Sequence, residues 1–132
     1  MLVSLVILIA TGLISYAGFM KLAARLLRYS VSWKSSFLFA GIMMVAAIFH
    51  HVLAFSESAA VRIGYGVLLL LGLVILGGWF FSGRGIDRRG AVLGWPGGIR
   101  LIVLTFAMIV VVAFAIVALV EFFLSNHFSP RP

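Results

Sequence analysis

Four long apolar runs, with no Lys, Arg, Asp or Glu in their central parts, constrain this chain more than any other feature. They lie at about 2–20, 36–54, 61–81 and 99–124. A transmembrane helix needs about 20 apolar residues, and a charge at its centre costs about 2.5–3.5 kcal/mol on the insertion scale. Because no run carries that cost, all four are predicted to cross a membrane. The predicted fold class is an all-α membrane protein, with four transmembrane helices in a single domain over residues 1–132.

The basic residues predict which side of the membrane each loop faces. The chain has ten Lys and Arg residues against three acidic residues, a formal net charge of +7. Short loops rich in Lys and Arg stay on the cytoplasmic side, and most of the basic residues lie in the loops after the first and third runs. These are Lys21, Arg25, Arg28, Lys34, Arg84, Arg88, Arg89 and Arg100, while Arg62 and Arg131 lie elsewhere.

This charge distribution predicts that both termini and the loop at 55–60 face outward. We expect a multi-pass protein of the cell membrane, and its compactness and charge bias favour a bacterial inner membrane with the termini on the periplasmic side. Since topology accounts for the basic residues, no nucleic-acid partner is expected.

The two halves of the chain resemble each other. When "TGLISYAGFM" is aligned with "LGLVILGGWF", sixty residues later, Gly12 falls on Gly72 and Gly18 on Gly78. We interpret the match as an internal repeat of two helical hairpins in the same orientation, related by an axis along the membrane normal. The predicted units are hairpin repeat 1 at 1–58, hairpin repeat 2 at 61–124 and a short outward tail at 125–132.

Both basic loops are expected at the lipid headgroups. In the first loop, Lys21, Arg25 and Arg28 follow an i, i+4, i+7 spacing. This spacing predicts an amphipathic helical turn with a basic face against anionic lipids. The second loop, "SGRGIDRRGAVLGWPGGIR", has six glycines and is predicted to be rich in turns. It lacks the GxxxxGK[ST] pattern of a phosphate-binding loop, so no nucleotide site is expected.

Aromatic and capping residues mark the ends of the runs. Ser35 and Ser36 are expected to cap the second helix, and Pro96 is expected to start the fourth. Three tryptophans lie where runs meet the interface, the level that suits an amphipathic indole. These are Trp33, Trp79 and Trp95, which complete the predicted lipid-interface set with the eight basic residues of the loops.

One face of the first helix carries small and hydroxyl residues. Ser4, Thr11, Ser15 and Gly18 fall at i, i+7, i+11 and i+14. Small residues let helices approach closely, and hydroxyls can form hydrogen bonds across a helix interface. Helix packing is the favoured interpretation of this stripe. The alternative is a polar pore lining, which requires several copies of the chain.

A His–Glu pair is expected at the outer rim. His51 is four residues past Ala47, and Glu121 is fourteen residues past Ala107, so both belong to stripes expected to face inward. Imidazole and carboxylate can hold a divalent metal, but adjacent histidines point about 100° apart on a helix. A structural hydrogen-bonded pair is therefore favoured, with His51, Glu121 and His50 as the alternative metal ligands. No metal or other cofactor is expected.

The remaining patterns narrow the function. The midplane of the predicted spans has no acidic, basic or His residue, which argues against proton- or ion-coupled transport. No Ser-His-Asp spacing, HExxH motif or acidic pair indicates an enzyme. The favoured function is a non-catalytic accessory or interaction subunit of a membrane complex. The alternative is a passive channel, or a small-solute or ion transporter, formed by homo-oligomerisation. Expected partners are anionic lipids at the cytoplasmic loops and other membrane subunits or copies of the same chain.

Overall fold

The computed structural model of the chain describes residues 1–53 and 58–128, except for the side chains of Leu53 and Phe128. It has four helices long and apolar enough to cross a membrane, which confirms the predicted all-α class and its four candidate spans. Arg131 and residues 55–57 of the loop at 55–60 lie outside the described residues. The elements are α1 (Leu2–Leu26), β1 (Ser30–Val31), α2 (Trp33–Leu53), α3 (Ala59–Ser82), β2 (Gly85–Ile86) and α4 (Gly94–Phe128).

α1 ends in a Schellman motif with an arginine at the position where glycine is usual. The backbone N–H of Tyr29 donates to the carbonyl oxygen of Ala24 at 2.7 Å, and that of Arg28 donates to Arg25 at 3.1 Å. Arg28 has a φ of 59°, a left-handed conformation that costs a residue with a Cβ about 1–2 kcal/mol. Because the helix ends at Leu26, Arg28 does not lie on the basic helical face that its spacing predicted.

α2 begins at a serine cap that lies before the predicted capping residues. The backbone N–H of Ser35 donates to Oγ of Ser32 at 3.2 Å, and Oγ of Ser36 donates to the carbonyl oxygen of Ser32 at 3.1 Å. Ser32 is therefore the capping residue, and the prediction of Ser35 and Ser36 as caps is wrong. Both are buried in the first turn of the helix. Pro96 lies in the first turn of α4, as predicted, where its missing N–H needs no partner.

β1 and β2 pair in an antiparallel sheet that joins the two basic loops. Ser30 is opposite Ile86, and Val31 is opposite Gly85. The backbone N–H of Leu93 then donates to the carbonyl oxygen of Gly85 at 3.0 Å, which folds the rest of the second loop back onto the sheet. The glycine-rich loop is thus anchored on the first loop. The end of the molecule that carries β1 and β2 is called the sheet end below.

The buried core lies at the sheet end and includes residues from all four helices. Phe39 of α2 contacts Phe80 and Phe81 of α3, with ring centroids 5.5 Å and 5.3 Å apart. The glycine in β2 lets Leu93 pack directly beneath the sheet, where a larger residue would collide with it. The core cluster consists of Met20, Ala23, Ala24, Val31, Phe39, Met43, Phe80, Phe81, Leu93, Leu101 and Ile102.

α3 and α4 meet at glycines, and α4 then continues well beyond α3. A methyl group added at Gly98 would lie 2.6 Å from the carbonyl oxygen of Gly78. From this contact α4 has 30 residues left (98 to 128), whereas α3 has 19 (78 to 59). At about 1.5 Å per residue, α4 is about 16 Å longer on this side of the contact. Every residue of α4 from 110 to 127 is exposed.

Glycines aligned by the predicted repeat lie in unlike surroundings. A methyl group at Gly12 would lie 2.5 Å from the terminal methyl of Met44, whereas one at Gly72 would have no neighbour within 4 Å. Gly78 packs tightly against α4, while the space around Gly18 is open. The aligned glycines therefore do not share a packing role within the chain.

Candidate functional site

The eight basic residues of the two loops all lie at the sheet end, whereas Arg62 lies in the first turn of α3 at the opposite end. No acidic residue occurs before Glu57. The carboxylate of Asp87 in the second loop accepts a hydrogen bond from the backbone N–H of Arg88 at 2.6 Å. The surface around the first loop therefore carries positive charge with no acidic side chain of its own. The residues at this end are Lys21, Arg25, Arg28, Lys34, Arg84, Arg88, Arg89 and Arg100.

A cavity of about 390 Å³ opens beside the end of α1. Lys21 and Arg25, one helical turn apart, contribute to its wall, and the turn after the helix contributes Tyr29 and Ser30. The cavity exists because β1 turns back along α1, so that a helical face becomes one side of an open cleft. The remaining lining residues are Gly18, Leu22, Ala24 and Val31.

Lys21 is held in this cavity by two contacts. Its ammonium group donates a hydrogen bond to the carbonyl oxygen of Val31 and lies 5.2 Å from the centroid of the Trp33 ring. An ammonium group has three N–H donors, so one bond to the protein leaves donors for a ligand. The sequence predicted the basic face, but the strand that orients Lys21 was missed.

The three tryptophans lie at the sheet end with exposed side chains. Trp33 is the first residue of α2, Trp79 lies in the last turn of α3, and Trp95 lies in the first turn of α4. Their exposed fractions are 55%, 59% and 46%. Exposed indoles at one end of a bundle suit the headgroup region of a bilayer. Their anchoring role stays a prediction.

The predicted stripe on α1 does not pack against the other helices. Ser4, Thr11 and Ser15 are exposed, and a methyl group at Gly18 would have no neighbour within 4 Å. The hydroxyl of Thr11 donates to the carbonyl oxygen of Ile7 at 2.7 Å. Packing or pore lining between copies stays a prediction, because α1 uses another face within the chain. The buried residues of α1 are Ala17, Met20, Ala23 and Ala24.

The structure separates His51 from Glu121. His51 lines a cavity of about 280 Å³ to which all four helices contribute residues; Phe106 is the contribution of α4. Ile102 of α4 and Phe39 of α2 meet at Gly77; from that level Glu121 lies nineteen residues along α4 and His51 twelve residues along α2, so Glu121 lies about 10 Å farther along the bundle. The predicted hydrogen-bonded pair is therefore wrong, because α4 runs past the end of α2 and its supposed inward residue Ala107 is exposed. Within residues 1–53 and 58–128, no three His, Asp or Glu side chains are grouped to hold a metal ion.

His50 occupies the same cavity in an arrangement that the sequence did not predict. Its ring stacks on Tyr65 of α3, with centroids 5.6 Å apart and an angle of 5° between the planes. A methyl group at Gly66 would lie 3.6 Å from the ring, an ordinary van der Waals contact. Nδ1 of His50 is buried without a hydrogen-bond partner. A tyrosine beside a glycine on α3 was the available signal for this packing.

Comparison of the chain with known protein families, with curated proteins and with solved structures finds no match. Its function therefore has to be inferred from the surfaces that the four helices and the sheet leave uncovered.

Proposed function

We propose that the chain is a non-catalytic integral membrane subunit that assembles with other membrane proteins through the exposed end of α4. The length of this helix is the observation that carries the proposal. Its 35 residues extend about 52 Å, against about 30 Å for the hydrocarbon core of a bilayer. To fit entirely within that core, the helix would have to tilt by about 55°, whereas spanning helices rarely exceed about 40°. Part of α4 therefore projects beyond the lipid tails.

The end of α4 that extends about 16 Å farther than α3 is apolar. Phe122, Phe123 and Leu124 are exposed by 64%, 55% and 51%, and the two phenylalanine rings lie edge to face with centroids 6.3 Å apart. An exposed apolar patch near the aqueous phase is unfavourable, and a partner surface would cover it. Glu121 and His127 flank the aromatic residues, which gives the patch the polar rim typical of protein interfaces.

In the proposed topology the sheet end faces the cytoplasm and both termini face outward, with the chain arranged as the two hairpins at 1–58 and 61–124. Two observations support it. The pairing of β1 with β2 brings both basic loops to one side, as the positive-inside rule requires. In addition, α1 packs against α2, and α3 packs against α4. The charge bias suits a bacterial inner membrane.

The second candidate is a passive channel, or a small-solute or ion transporter, formed by several copies. The exposed hydroxyls of Ser4, Thr11 and Ser15 favour it, because copies packed on this face of α1 would gather them at a shared axis. The Thr11 hydroxyl already donates to Ile7, so it would present an acceptor lone pair to a cation or water.

A photo-crosslinking amino acid at Phe122, introduced in cells, tests the first proposal. We expect a crosslink to one discrete foreign membrane protein that also co-purifies stoichiometrically in mild detergent. Leu68, exposed by 69% on α3, is the matched control and should crosslink to no protein. No crosslink at Phe122 would contradict the proposal. A crosslink to a second copy, together with ion flux in liposomes, would favour the channel.

A further inference from the structure

We propose that the cavity beside the end of α1 binds the phosphate of an anionic phospholipid, with one acyl chain lying along α1. Binding of this kind requires that the helices span a membrane, but it does not depend on a partner at α4. The cavity lies between the last turns of α1 and β1. It lies at the end that carries the three exposed tryptophans, where lipid headgroups would be.

The cavity offers the donors that a phosphate requires. Lys21 is oriented by Val31 and Trp33, and it keeps N–H donors free. The exposed guanidinium of Arg25 stands one helical turn away, and its planar donor fork suits two phosphate oxygens. Tyr29 and Ser30 add hydroxyl groups to the lining. Lys21 and Arg25 more than balance the single negative charge of a phosphodiester, and the two cations and two hydroxyl groups can donate to its acceptor oxygens.

No acidic residue lies in the lining, so the positive charge there has no partner within the cavity. The nearest acidic residue along the chain is Glu57, about thirty positions after Arg25. Asp87 follows Ile86, which is opposite Ser30 in the sheet, but its side chain is not part of the lining. An anionic ligand would therefore supply the negative charge that the cavity lining lacks.

A second cavity favours a lipid over a free phosphate ion. This cavity, of about 240 Å³, lies on α1 and is lined by Ser15, Gly18, Phe19 and Leu22. Gly18 and Leu22 line both cavities, so the two spaces adjoin along α1. A methyl group at Gly18 would have no neighbour within 4 Å, so an acyl chain could lie in this open apolar depression. A free phosphate ion would make no use of an apolar surface.

Native mass spectrometry of the purified full-length chain tests the proposal with phosphatidylglycerol and phosphatidylcholine of identical acyl chains. We expect selective retention of phosphatidylglycerol. Replacing both Lys21 and Arg25 by Gln should weaken the binding of phosphatidylglycerol by more than tenfold, because each charge removed should weaken it about fivefold. Arg88→Gln with Arg89→Gln removes the same charge outside the cavity and should change binding by less than twofold. The proposal would be overturned if the two double variants lost the same amount of phosphatidylglycerol binding, or if the unchanged chain bound the two lipids equally.

Two further variants distinguish loss of lipid binding from a folding defect, and a bound lipid from a free phosphate ion. Arg25→Gln alone alters an exposed side chain and should weaken binding about fivefold without changing the unfolding temperature. Gly18→Leu fills the apolar cavity and should weaken binding of phosphatidylglycerol, whereas Ala60→Leu at the other end should not. Competition by millimolar inorganic phosphate as strong as that by added lipid would overturn the lipid assignment. Crosslinking at Phe122 should persist in Arg25→Gln, which separates this site from the partner surface.

Discussion

Gly98 sets the distance between α3 and α4, because any side chain there would meet the backbone of Gly78. We expect Gly98→Ala to lower the free energy of unfolding by about 1–3 kcal/mol, the usual range for an overpacked contact. A backbone carbonyl cannot rotate away as a flexible side chain can. Thermal unfolding in detergent measures the effect. Gly72→Ala is the matched control, since a methyl group there has open space; equal destabilisation by the two variants would contradict this account.

Arg28 holds a left-handed conformation that glycine adopts without a steric cost. Arg28→Gly should therefore raise the free energy of unfolding by about 1 kcal/mol. Arg28→Ala removes the same charge but keeps a Cβ, so it should give no such gain. Chemical denaturation of the two variants side by side provides the measurement. If Arg28→Gly and Arg28→Ala raised the free energy of unfolding by the same amount, charge repulsion rather than backbone conformation would limit stability at this turn.

Single residues were predicted well where one helix decides their position and poorly where contacts decide it. The spacing of Lys21 and Arg25 placed both on one side of α1, which the structure retains. Arg28 was wrongly predicted to lie on the helix, because arginine has no preference that would indicate a left-handed backbone conformation. His51 and Glu121 were predicted to pair from helical spacing alone. Spacing shows which face of a helix a residue lies on, but not the position of one helix along the axis of another.

At the scale of elements, the helices were predictable and the sheet was not. The length of an apolar run is a property of the run itself, so each of the four spans could be identified without its neighbours. β1 and β2 have two residues each, too short for any alternation to appear. Their pairing joins parts of the chain more than fifty residues apart. The pairing of β1 with β2 depends on the packing of the four helices, which brings the two loops together. A local sequence pattern cannot predict such a contact.

The pairing of the loops is open to a direct test, because the chain has no cysteine. Ser30 and Ile86 are directly opposite in the sheet, a separation that a disulfide can bridge. We expect a chain with cysteines at these two positions to form an intramolecular disulfide under mild oxidation, detected by its mass and altered mobility. Cysteines at Ser30 and Arg89 form the control pair. Crosslinking of both pairs to the same extent would indicate mobile loops and contradict a defined sheet.

At the scale of the whole molecule, the packed core and the open surface lie at opposite ends. The core is concentrated beside the sheet, while α4 is exposed from 110 to 127. The apolar run at 99–124 has an ordinary length for a span, so the sequence could not reveal that α4 extends past the end of α3. It depends on the contact of Gly98 with Gly78, which fixes the position of α4 along α3.

The central claim is that four helices cross the membrane with the sheet end in the cytoplasm. Labelling of single cysteines in intact cells with a membrane-impermeant maleimide tests it most directly. A cysteine at Ala60, in the exposed first turn of α3, should react before permeabilisation. A cysteine at Arg89, in the exposed second loop, should react only after permeabilisation. Reaction of Arg89→Cys in intact cells, or labelling of both positions from the same side, would contradict the account.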